Sequence, residues 1–289
     1  MLYKSADIWA SESNKRAMLF GMSGLGKTHV SNILRESGKW FHYSVDYRIG
    51  TRYMGEHIVD NFKTEAMRNP FLAELLRSDS LYIASNITFD NLSPLSTYMG
   101  KPGDPKLGGI PFGEYQRRQE LHRTAEISAL LDAPRFSSRA QILYGYDHFI
   151  CDSGGSICEV VNPDDPADPV LTALSENMLL IGIQGSCDHT EKLVERFAAS
   201  PKPMYFDPAF LMSIWTAFCS ENNVSEDDVD PDEFMRFAYR KCLDHRMPIY
   251  RSMAKNWGVS VRAEDVEQIK SSDDFEGLVA QAIKENRQA

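Results

Sequence analysis

No apolar run in this 289-residue chain approaches the ~20 residues that a membrane-spanning helix needs, so a bilayer-embedded protein is not expected. Cysteine is sparse. Cys151, Cys158, Cys187, Cys219 and Cys242 are odd in number, lack C-x-x-C spacing and have no histidines in zinc-finger register. That excludes a disulfide framework and a structural zinc site, and leaves reduced thiols in a cytoplasmic protein as the expectation. Positive charge is in deficit, 31 Lys and Arg against 41 Asp and Glu, for a net charge of −10. A surface of that sign repels phosphate backbones and anionic membranes, which argues against nucleic-acid partners unless a local basic patch compensates. The opening stretch MLYKSADIWASESNKR has no basic segment followed by an apolar core, so no secretory signal is expected. Tandem repeats and long low-complexity tracts are also lacking. Small molecules or proteins remain as partners.

What is present is enough apolar residue, 43%, to build one large domain or a core with a sizeable insertion. RAMLF (16–20) is a short apolar run, and KTHVSNILRES (27–37) places Val30, Ile33 and Leu34 on one helical face before Gly38; the pattern predicts strand, loop, helix. Further strands are expected at Trp40–Val45, His148–Asp152, Met178–Ile183 and Gly258–Arg262. SCDHTEKLVERF reads as a helix with Asp188 and Glu191 as its capping box, and DDFEGLVAQAIKEN as a closing amphipathic helix. Strands alternating with helices predict an α/β fold, a mainly parallel five-stranded sheet flanked by helices in three layers.

Two stretches break this rhythm. Between the second and third strands lie far more residues than a crossover needs, part helical in pattern (FLAELLR, YQRRQELHRTAEISALL) and part a Pro/Gly-rich loop (SPLSTYMGKPGDPKLGGIPFG). The expected organisation is a core of residues 1–59 and 146–289 with an inserted, mostly helical acceptor or lid subdomain over 60–145. The second excess, 206–232, contains the acidic connection CSENNVSEDDVDPDE.

The chemistry centres on FGMSGLGKTHVSN. Gly21, Gly26, Lys27 and Thr28 satisfy G-x-x-x-x-G-K-[ST], after an expected strand and at the start of an expected helix. In that context backbone N–H groups and the positive helix end surround phosphate oxygens. The loop Gly21, Met22, Ser23, Gly24, Leu25, Gly26, Lys27, Thr28 and His29 is therefore the candidate nucleotide site. Lys27 would reach the β- and γ-phosphates and Thr28 would hold Mg²⁺. With no N-K-x-D guanine motif, ATP is the expected nucleotide. Asp46 and Asp152 end predicted strands, the edge of a parallel sheet where ligands collect. One is expected to face Mg²⁺, directly or through water, and the other the acceptor hydroxyl; Lys27, Asp46 and Asp152 form the candidate catalytic set.

With these residues in place the chain resembles the shikimate kinases and their gluconate-kinase-like relatives, P-loop small-molecule kinases. SVDYRIGTRYMGEHI is similar to the family's D-x-D-x-x-I-E-x-R-x-G-x-x-I segment, with Asp46 at the second Asp and Arg52 and Gly55 near their pattern positions; Ser44 replaces the first Asp. The resemblance implies that Asp46 binds acceptor hydroxyls and Arg52 lies beside them. CDSGGSI resembles the glycine triplet after strand three, which implies that Gly154 and Gly155 let the acceptor approach the backbone. SPKPMY resembles the R-P-L segment of the ATP lid, with Lys202 in place of arginine, and HRMPIYRSMA resembles the R-x-P-L-Y run, which implies an acceptor contact for Arg246. Arg68 is the weaker candidate for a further acceptor arginine.

Other features admit two readings. His189 reads as a surface residue rather than a base. Arg117, Arg118, His122 and Arg123 form a basic helical face, either solvated or a lid over phosphates. Met204 and Tyr205 fit either an adenine pocket or the core. The expected function is ATP- and Mg²⁺-dependent phosphoryl transfer to a hydroxyl of a small, anionic metabolite. The alternative is an ATPase switch whose insertion binds a protein partner, and a polynucleotide kinase is disfavoured by the net charge.

Overall fold

The computed structural model describes residues 2–286. Its chain divides into two compact units, Met1–Val45 with Ile127–Ser200 and Arg236–Ala289, and Asp46–Glu126 with Pro201–Met235. The segment expected as an insertion, 60–145, is shared out: 60–126 fall in the second unit and 127–145 in the first. One continuous helix, Phe112–Tyr144, carries the chain through that division.

The first unit holds five strands: β1 (Arg16–Phe20), β2 (Trp40–Ser44), β3 (His148–Asp152), β4 (Leu179–Gln184) and β5 (Gly258–Arg262). They form one sheet in the order β2-β3-β1-β4-β5, and every pairing is parallel. The fold is α/β, a five-stranded parallel sheet flanked by helices. Parallel strands are covered on both faces, so they read as continuous apolar runs; β1 and β3 are buried at four of their five positions. β2 stops at Ser44, one residue earlier than expected, because Val45 already begins the short helix Val45–Arg48.

The order has a functional consequence. β1 lies at the centre, the chain goes from it to one side for β2 and β3, and then crosses to the other side for β4 and β5. The carboxyl end of β1 is thus the switch point of the sheet, where the connections on either side run in opposite directions.

Packing at the outer rim is aromatic. Trp9 meets Tyr3 and Phe275 edge-on, with centroids 5.0 and 6.5 Å apart. Trp40 meets Phe275 at 5.6 Å and donates its indole N–H to Ser272 at 2.8 Å. Buried tryptophans carry a polar N–H that must be satisfied, and Trp9 meets that demand by donating to the Glu276 carbonyl at 3.0 Å.

The second unit is helical. Its core stacks Phe112 on Trp215 at 4.2 Å, with Phe234 edge-on to Trp215 at 4.8 Å. The Pro/Gly-rich stretch expected as loop begins with a helix, Ser93–Met99. Pro94 sits in the first turn, where its missing N–H costs nothing, so proline here starts a helix rather than breaking one. The acidic stretch expected between helices is split: Pro208–Asn222 is helix, closed by Asn223 in the left-handed conformation.

Candidate functional site

β1 delivers the chain into the glycine loop at the switch point, and the helix Lys27–Glu36 leaves it. The loop alternates anchors and exposed positions: Met22 and Leu25 are buried, whereas Ser23, Gly24, Thr28 and His29 face solvent. Glycine is required at its ends. Gly21 has φ +138°, and a Cβ there would stand 2.7 Å from the Ile183 carbonyl oxygen of β4. Gly26, left-handed at φ +95°, is the N-cap and offers no side chain, so the first turn has no side-chain cap. The N–H groups of such a turn are what anionic oxygens bind.

Lys27 is buried, 7% exposed, and folds back over its own loop. Its Nζ donates to the Gly21 carbonyl at 2.7 Å and to the Met22 carbonyl at 3.0 Å. A buried ammonium needs such partners to offset desolvation. The two carbonyls hold the charge inside the loop.

Thr28 and Asp152 meet. The threonine hydroxyl donates to Asp152 Oδ2 at 3.0 Å. The register of the sheet sets this up, since Asp152 is the last residue of β3 and pairs with Leu19 of β1 on one side and Ser44 of β2 on the other. His42, buried on β2, brings Nε2 to 3.9 Å from the same oxygen. This is not an ion pair near neutral pH, because burial, aided by the Arg35 charge, pulls the imidazole from its ordinary 6.5 down to about 4. His42 is a neutral neighbour of the carboxylate.

The turn after β3 packs on the loop. Ser153 donates both its N–H and its hydroxyl to the Leu19 carbonyl, at 3.2 and 2.9 Å. Gly154 is buried. At Gly155 an added Cβ would lie 2.5 Å from Ser23 Oγ and 3.2 Å from Ser23 N, so this glycine is where two backbones approach closely. Its carbonyl accepts from Arg246 Nη1 at 2.6 Å and from the Tyr250 hydroxyl at 2.7 Å.

Arg246 is 3% exposed, and its Nε donates to Glu159 Oε1 at 2.6 Å. Burial acts to depress the guanidinium, but the Glu159 carboxylate beside it holds it well above the ordinary arginine range. Burial also pushes the Cys158 and Cys242 thiols up to about 12; both are free and stay protonated.

Asp46, Arg52 and Lys202 belong to the second unit. Asp46 is half-buried in the helix Val45–Arg48, while Arg52 and Lys202 are exposed. Arg68 is exposed and pairs with Glu65 at 2.7 Å. On the basic helical face Arg117 and Arg118 both donate to Glu114 at 2.7 Å, and together they draw that carboxyl down to about 2. Tyr205 is buried and stacks on His122 at 5.0 Å. Gln119 ties the segment beside it, donating to the Met204 carbonyl at 3.0 Å and accepting from Phe206 N at 2.9 Å.

Several residues at this site were not picked out from sequence. The helix Cys187–Ala199 is capped by Ser186 with His189, not by Asp188 with Glu191, because Ser186 has the extended backbone an N-cap needs. His189 also lies 3.4 and 3.3 Å from Glu264 and Glu267. Farther along that helix Arg196 lies over the loop: a Cβ on Gly24 would be 2.3 Å from its Nη2. Tyr250 is four residues beyond Arg246, one turn along the same helical face, and that spacing was the signal available. Glu159, buried without any sequence pattern around it, gave none.

No known protein family matches the chain, and no curated protein matches it. Among solved structures it is similar to a shikimate kinase from Bacteroides thetaiotaomicron, at 12% identity, covering 95% of this chain and 97% of that one, with a TM-score of 0.39.

Proposed function

We propose that this protein is an ATP- and Mg²⁺-dependent phosphotransferase that moves the γ-phosphoryl group to a hydroxyl of a small, anionic metabolite. One observation carries the reading: at the switch point of the parallel sheet, an uncapped glycine loop with Lys27 in its hollow stands beside the Thr28–Asp152 pair. The residues fit a magnesium nucleotide. Gly21 and Gly26 hold positive-φ backbone packed closely against β4 and Val266, which keeps the loop in its turn, and Lys27 can exchange carbonyl partners for phosphate oxygens. Among the described residues no group of three or more His, Cys, Asp or Glu could hold a metal. Mg²⁺ is commonly held by one or two side chains, with water and phosphate supplying the rest, and Thr28 with Asp152 suits that arrangement.

When bound, the metal nucleotide supplies the transferable phosphoryl group and neutralises charge on its oxygens. The chain's own part is positioning and electrostatics. Loop amides and Lys27 bind the polyphosphate, Asp152 orients the Thr28 hydroxyl, and Arg196 adds positive charge over Gly24. On the family resemblance, Asp46 is assigned the acceptor hydroxyl as orienting group or base, and Arg52 and Lys202 are assigned anionic groups. A second reading, an ATPase switch that binds a protein through the second unit, draws on Phe71 and Tyr82, exposed by 68% and 86%.

The test is ADP release from MgATP in the presence of sugar acids, cyclic polyols and nucleosides. The expected result is stimulation by one acceptor class, and none in a folded Lys27→Ala variant. Full turnover by that variant would overturn the mechanism. Stimulation by a protein and by no small acceptor would favour the switch.

A further inference from the structure

Two side chains that share one acceptor connect the interior of the first unit to the glycine loop. The Gly155 carbonyl takes hydrogen bonds from both Arg246 and Tyr250, a load that fixes the turn after β3 from one side. On its other side the same residue lies against Ser23 with no space for a methyl group. Arg246 also grips Glu159, which ends the short 3-10 turn Ile157–Glu159, so it staples the turn at two points. Glu159 has no side-chain exposure and is met by His245 at 3.2 Å as well. The ring of Tyr250 stacks on Phe20 at 6.2 Å and 27°, and Phe20 is the residue immediately before Gly21. Tyr250 therefore touches the loop's entrance with its ring and, through Gly155, its third residue with its hydroxyl.

We propose that Arg246 and Tyr250 are positioning residues that set the geometry of the phosphate loop, Tyr250 by bracing Phe20 and both by pressing Gly155 against Ser23. This is a task beyond the acceptor contact that the family resemblance implies for Arg246. It rests on the nucleotide-binding reading of the loop, because the consequence is polyphosphate affinity. The preorganised loop amides bind phosphate oxygens without first being ordered, and loosening one edge forfeits part of that advantage.

The test uses Tyr250→Phe, which keeps the stacking ring and removes one donor to Gly155, and Gly155→Ala, which pushes Ser23 from the other side. Arg246→Lys is a further arm should either fail to fold. In nucleotide-free protein, amide hydrogen exchange across residues 20–28 is expected to quicken in each variant while the sheet stays protected. Calorimetry with MgADP is expected to show binding about three- to tenfold weaker, the loss of roughly one hydrogen bond. The double variant Tyr250→Phe with Gly155→Ala should lose less affinity than the product of the two single losses, since both act through one contact. Exchange and affinity like wild type in folded variants would overturn the strut, as would fully independent effects. Absence of MgADP binding by the wild-type protein would overturn the nucleotide reading instead, and the exchange measurement would still decide whether the strut exists.

Discussion

The hydroxyl of Thr28 donates to the carboxylate of Asp152 across 3.0 Å, joining the first turn after the glycine loop to the end of the neighbouring strand. Only the parallel register of β1 and β3 makes this possible, since 124 positions separate the two residues in the chain.

Asp152→Asn keeps an acceptor for Thr28 and removes the charge. If this pair assists a divalent cation, the Mg²⁺ concentration needed for half-maximal ADP release should rise by about tenfold or more, with turnover reduced at saturating metal. Titrating Mg²⁺ at fixed nucleotide checks this; an unchanged metal requirement would remove Asp152 from the proposed site.

His42 makes stability depend on acid. Its folded-state value, about 4, lies below the ordinary 6.5, so between those values the unfolded chain binds the extra proton. The contribution is fully present above about pH 6.5 and is lost as pH falls towards 4. The full span corresponds to roughly 3 kcal/mol. His42→Gln should flatten this limb of a stability profile measured by urea unfolding between pH 4 and 7. A wild-type profile with no slope there would contradict the burial argument.

Gly21→Ala and Gly38→Ala separate backbone strain from collision. Both glycines have positive φ, +138° and +74°, but an added Cβ at Gly38 meets nothing within 4 Å, whereas at Gly21 it meets a β4 carbonyl. Gly38→Ala should cost about 1–2 kcal/mol from strain alone. Gly21→Ala should cost about 2–5 kcal/mol, strain and overpacking together, and should disable nucleotide binding. Chemical denaturation of the two variants supplies the comparison.

Arg196→Ala should weaken a non-hydrolysable MgATP analogue by about fivefold and AMP hardly at all, because an exposed cation over the loop matters in proportion to the charge it faces. The difference should shrink at high salt. Equal losses for both ligands would place Arg196 outside phosphate recognition.

The strands were legible because parallel strands buried on both faces are short apolar runs, and RAMLF, HFICD and GVSVR stand out between polar turns. The glycine loop was legible because its constraints are local: positive φ, close approach of backbone, a lysine one residue past the last glycine. Proline misled once, at Pro94, since a residue that ends helices also begins them and only the following turn distinguishes the cases. The capping box misled as well, because Asp188 and Glu191 have the right spacing while Ser186 has the right backbone.

By itself the sequence determined the elements whose causes lie within a few residues: the strands, the helices with a plain amphipathic run, and a glycine loop between the first strand and its helix. The tertiary structure alone decided the strand order that puts β1 at the centre, the meeting of Thr28 with Asp152, the neutral His42 at their side, and the engagement of Arg246 with Glu159 and Gly155. Those relationships join residues tens of positions or more apart, and their energies come from burial and from partners that no local pattern encodes.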